Sequence, residues 1–96
     1  MQVLGPKGPL LYAGTDERTW AVHQIHLAAQ ILDNPGGGLV FATQTMGQVR
    51  AALLSSDEER WEKVVDLLMK AEEHAVRREL EAARRQLELA EAALTA

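Results

Sequence analysis

The chain has 96 residues, 47% of them hydrophobic and 25% charged, with no cysteine and a formal net charge of −4. This size fits one domain, and this balance excludes disorder throughout. The absence of cysteine excludes disulfides, a thiol nucleophile and thiolate metal sites, and is compatible with a reducing cytoplasm.

Charge is unevenly placed. Residues 1–56 carry three acids and three bases, whereas residues 57–96 carry eleven acids and seven bases. An acidic surface argues against nucleic acid as a partner, because neutralising phosphates needs a basic face. No segment approaches the roughly 20 apolar residues of a membrane span. Met1–Pro6 lacks the basic flank and apolar run of a secretory leader, so the expected setting is the cytoplasm, away from membranes. Arginine outnumbers lysine seven to three, a bias that suits a GC-rich bacterial or phage genome.

In chain order, Val3-Leu4 and Leu10-Leu11-Tyr12-Ala13 flank the turn-dense Gly5-Pro6-Lys7-Gly8-Pro9 and predict a hairpin. Thr15 can cap a helix, with Asp16 and Glu17 in its first turn, running to about Leu32. Asp33-Asn34-Pro35-Gly36-Gly37-Gly38 stops it. Apolar residues from Trp20 to Leu32 cover more than half of this helix, which predicts a central helix covered on two sides. Leu39-Val40-Phe41-Ala42-Thr43 is an unbroken apolar run that reads as a strand buried on both faces. Thr45-Met46-Gly47-Gln48 has capping-box spacing and opens a short helix through about Leu54.

Ser56-Asp57-Glu58-Glu59 matches the same box, and no Gly or Pro interrupts Glu58 to Leu94. A single helix there would span roughly 55 Å, longer than a compact domain of this size. The expected fold is therefore α+β. A three-stranded sheet, the hairpin plus residues 39–43, packs on the central helix within a 1–56 body. A short helix and one long helix, residues 57–96, follow, and the second half of the long helix projects.

The long helix carries a seam. Trp61, Val64, Leu68, Ala71 and Ala75 repeat at heptad spacing, and Val76, Leu80, Ala83, Leu87, Ala90 and Leu94 continue it with a one-residue step. The expected interface of a homodimer is Trp61, Val76, Leu80, Ala83, Leu87, Ala90 and Leu94, with parallel and antiparallel pairing both open. Arg77-Arg78 and Arg84-Arg85 form a basic band one heptad apart that can contact an acidic partner or an RNA backbone, or simply face solvent.

Candidate chemistry is sparse. Asp16, Thr19, His23, His26 and Gln30 form one polar stripe on the first helix. His23 and His26 are weak candidates for a divalent metal, since no third strong ligand is nearby in sequence. A solvated helix face explains the stripe as well. Gly36-Gly37-Gly38 precedes its strand rather than following one, which is the wrong order for a phosphate cradle. Ser55 and Ser56 sit where a helix cap is needed. No cofactor is expected. The function expected first is a non-enzymatic protein-interaction module, an adaptor, assembly factor or inhibitor acting through a homodimeric long helix. An antitoxin-like regulator with a DNA-binding body is the second reading, and a small metal-dependent enzyme using His23 and His26 the third.

Overall fold

A computed structural model describes residues 16–96, and every regular element within them is helical. The helices are α1 (Glu17–Asp33), α2 (Leu39–Asp57), α3 (Glu62–Val76) and α4 (Leu80–Thr95). The expected hairpin, with Thr15, lies outside the described residues. The α+β expectation fails on what remains, because no strand occurs among the described residues.

α1 begins at Asp16, whose carboxylate accepts a hydrogen bond from the Thr19 backbone N–H at 2.7 Å. One orphan donor of the first turn is thereby satisfied. The helix ends where Pro35 offers no N–H and Gly36 takes a φ of +50°. A Cβ on Gly38 would lie 3.1 Å from both Ile31 Cγ2 and the Pro35 carbonyl oxygen, a tight approach that any side chain there could make only if its neighbours shifted.

The cap makes a first prediction. Hydrogen bonding from Thr19 holds the Asp16 carboxyl below its ordinary value. A depressed carboxyl contributes stability above its unfolded value and loses it as pH falls through the folded one. Asp16→Ala should therefore melt lower than the parent at neutral pH, and the two curves should converge in acid. Thermal melts of both proteins from neutral pH down to about pH 2 check this. An undiminished gap in acid would show that the carboxylate charge is not what stabilises the turn.

The run Leu39–Thr43 forms the opening of α2 instead of a strand. What decides this is the face that continues beyond it. Ala42, Thr45, Met46, Val49, Ala52 and Leu53 recur at helical spacing, and all are buried. Val40 and Phe41, expected inside a sheet, are 67% and 53% exposed. Thr45, expected as a cap, lies buried mid-helix with its Oγ1 donating to the Phe41 carbonyl at 2.9 Å. That bond lets a hydroxyl sit in the core. Ser56 does not cap a long helix either, but donates to Glu17 Oε1 across the α1–α2 pair at 2.9 Å.

The single long helix is also corrected. It breaks twice, at residues 58–61 and again at Arg77-Arg78-Glu79. At the second break the Arg78 N–H donates to the Ala75 carbonyl and the Glu79 N–H to the His74 carbonyl, each at 2.9 Å. Arg78 has a φ of +62°. Together these make a Schellman turn with arginine in the left-handed position that glycine usually fills. The hydrophobic contact that commonly closes this turn is replaced by a polar one, His74 Nδ1 to Glu79 Oε1 at 2.8 Å.

α1 packs on α2, α2 on α3, α3 on α4, and α4 closes the ring on α1. Cross-helix pairs give the directions. His26 meets Glu91 and Asp33 meets Arg84, so α1 and α4 run antiparallel. Short turns make the remaining neighbours antiparallel as well, in an up-down-up-down bundle. Fully buried alanines, among them Ala21, Ala28, Ala42, Ala52, Ala71, Ala75, Ala83 and Ala90, let the helices approach closely. Met46, Val49, Leu53, Leu68, Leu87 and Leu94 fill the space between. Residues 57–96 thus complete the core with the helices before them, and no half of them projects. No helix among the described residues is long and apolar enough to cross a membrane.

Candidate functional site

The expected interface residues separate into two groups. Trp61, Ala83, Leu87, Ala90 and Leu94 are buried in the chain's own core, Leu80 packs half-buried against it, and Val76 alone is 72% exposed. The seam is real but turned inward. Ala75 and Ala83 flank the α3–α4 turn at equal sequence distances, as do Ala71 and Leu87, Leu68 and Ala90, and Val64 and Leu94. The two half-seams are mirror images about Glu79, which is the arrangement an antiparallel hairpin needs. The one-residue step between them marks the turn and not helical drift.

The four arginines do not form one free band. Arg84 donates from Nη1 to Asp33 Oδ1 at 2.6 Å, tying the start of α4 to the end of α1. Arg77, Arg78 and Arg85 are exposed and interleaved with Glu79 and Glu81. The polar stripe Asp16, Thr19, His23, His26 and Gln30 lies exposed on α1. His26 Nε2 pairs with Glu91 Oε1 at 2.8 Å, and no three His, Asp or Glu side chains converge on a metal position among the described residues.

A concave feature appears where α2 ends and α3 begins. Asp57 Oδ1 accepts from the Arg60 N–H at 3.1 Å, and the Trp61 N–H donates to the Asp57 carbonyl at 3.1 Å, so the chain bends around Asp57. Trp61 turns into the core and is 4% exposed. The Arg60 guanidinium covers its ring at 4.4 Å from the centroid, a cation–π contact on the outer side of the bend. Beside this bend lies an open groove. Leu54, Val65 and Met69 contribute its apolar surface, and Glu58, Glu59, Glu62, Lys63 and Asp66 its polar surface.

The groove's electrostatics are one-sided. Asp66 is paired with Lys70 Nζ at 3.2 Å. Glu58, Glu59 and Glu62 make no ion pair among the described residues. Glu62 sits in the first turn of α3, where the helix dipole favours negative charge, but Asp66 lies four residues on and repels it. Leu54 and Met69 are both exposed, so the groove leaves apolar surface in water next to concentrated negative charge.

Across the bundle, Arg50 grips Glu72 through Nε and Nη2 at 2.7 and 3.1 Å. This half-buried bidentate pair fixes α2 against α3. The hydrogen bonds that Arg50 donates to Glu72 hold its guanidinium further above its already high value. It is structural support for the groove's two walls.

Sequence reasoning missed the groove because its apolar surface comes from two helices that the expected fold did not bring together. Comparison with protein-family models, curated proteins and solved structures found no match to the chain.

Proposed function

We propose that the protein is a non-enzymatic interaction module, working in a cytoplasm, whose α2–α3 groove receives a basic, apolar segment of a partner protein. One observation carries this reading: exposed Leu54 and Met69 share a groove with four carboxylates and a single lysine. An apolar floor supplies contact area, and a charged rim supplies orientation and faster encounter with an oppositely charged partner. An amphipathic helix with lysine or arginine flanking its apolar face fits both demands.

A designed helical peptide of leucine and lysine serves as the probe, with binding followed by fluorescence anisotropy and amide chemical shifts. Binding should weaken as salt rises, and the shifts should centre on residues 54–69. Met69→Glu separates docking from bulk charge attraction. It removes part of the apolar floor while making the protein more acidic, so groove docking should weaken roughly tenfold or more, as loss of one buried anchor costs over about 1.4 kcal/mol. Equal or tighter binding by Met69→Glu, or shifts spread over the whole surface, would remove the groove from the function.

A further inference from the structure

The α3–α4 turn is built from residues that favour a continuous helix. Arg77, Arg78 and Glu79 are all good helix formers, and no Gly or Pro lies between Glu62 and Thr95. Yet Arg78 is held at a φ of +62°, a conformation that disfavours residues with a side chain. α4 also starts poorly. Its N-cap is Glu79, which makes no side-chain capping bond and spends its carboxylate on His74. The first N–H groups of α4 therefore lack the side-chain partner that a good cap provides.

Straightening this turn would relieve the left-handed backbone and give those N–H groups helical partners on residues 76–78. The result is one helix over residues 62–95, roughly 50 Å long at 1.5 Å per residue. The bundle's longest extent is 37 Å, so a straightened helix carries α4 away from its own α1. The groove that α4 vacates is specific. It is shaped for Ala83, Leu87, Ala90 and Leu94 and carries Asp33 and His26 to meet Arg84 and Glu91. A second copy of the same chain offers the matching helix.

We propose that Arg77-Arg78-Glu79 is a hinge at which two copies exchange α4, forming a dimer with the same four-helix bundles. Every core contact of α4 is re-formed between chains. Only the turn itself changes, losing the two Schellman bonds and the His74–Glu79 contact. Short hinge loops under strain are a known route to such exchange. Val76 gains a role in the dimer. It is 72% exposed in the single chain, and in the straightened helix it would fall one turn before half-buried Leu80, beside the point where two such helices would cross. This inference is independent of the acidic groove, which lies at the opposite end of the bundle.

The test uses the hinge and the chain's lack of cysteine. The protein is refolded at high concentration and its species are separated and weighed by light scattering. A fraction at twice 10.6 kDa is expected. Arg78→Gly should raise the dimer dissociation constant roughly a hundredfold, because glycine takes the left-handed turn freely, is poor within a helix, and acts at both hinges. Arg78→Ala, which cannot take the turn freely and favours helix, should keep or increase the dimer. Asp33→Cys/Arg84→Cys with a short bismaleimide then identifies the exchange. In the isolated dimer the cross-link should join two chains, and in the monomer it should close within one. Cross-links confined within single chains of an isolated dimer would overturn the exchange. So would the absence of any dimer in both the parent and Arg78→Ala, or a dimer unaffected by Arg78→Gly.

Discussion

Leu87→Asp should leave the protein unfolded. Leu87 is fully buried in the core, where α4 packs on its neighbours. Placing a carboxylate there removes a leucine's burial, worth about 2–3 kcal/mol. It also adds the desolvation of a charge or the protonation that avoids it, which costs several kcal/mol more. A domain of this size has about 5–15 kcal/mol in total, so the sum consumes most or all of it. Leu89 provides the control. It lies two residues away on the same helix and is 49% exposed, and Leu89→Asp should stay within about 0.5 kcal/mol of the parent. Far-UV circular dichroism with thermal melts reads both. A cooperative, near-native melt of Leu87→Asp would place the seam at the surface and contradict the inward-facing hairpin.

The second large effect is expected at Trp61. Its ring is buried at the α2–α3 bend and covered by Arg60, so truncation opens a cavity at the point where the chain reverses. Trp61→Ala should cost about 3–5 kcal/mol. Trp61→Phe should cost well under half of that. It keeps a ring beneath Arg60, and it deletes an indole N–H that is buried without a hydrogen-bond partner among the described residues. A buried donor left unpaired costs about 1–3 kcal/mol, which offsets part of the lost volume. Urea midpoints at a common slope measure the two variants. A loss below about 1 kcal/mol for Trp61→Ala would mean that the ring is not an anchor of the core.

How much of this was legible in the sequence differs from element to element. α1 was, because its signals are local: acidic residues at its start, and Pro35 with three glycines after its end. The opening of α2 was not. Leu39-Val40-Phe41 is a short apolar run that periodicity alone assigns equally well to a buried strand or a helix. The deciding information lay further on, in the helical recurrence from Ala42 to Leu53, and in a threonine whose hydroxyl is satisfied by its own helix.

The α3–α4 turn gave no compositional signal at all, since arginine stands where glycine is usual. Its trace was the phase of the apolar pattern. Two half-seams displaced by one residue at Ala75 and Val76 are compatible with drift along a straight helix and also with reflection about a turn. The excess of a straight 55 Å helix over the expected domain diameter favoured the turn as much as it favoured a projecting arm. The groove was invisible for a related reason. Glu58, Glu59 and Glu62 look like ordinary first-turn acids until Leu54 and Met69 are known to lie beside them.

The ring of helix contacts carries a consequence for how the molecule is made. Three of its four contacts join helices adjacent in sequence, and such local hairpins form quickly because little loop entropy is lost. The fourth, α1 with α4, spans nearly the whole described chain. Until that pair closes, the trough that Ala83, Leu87, Ala90 and Leu94 fill stays open. The last contact of the ring therefore sets how long that apolar trough faces water.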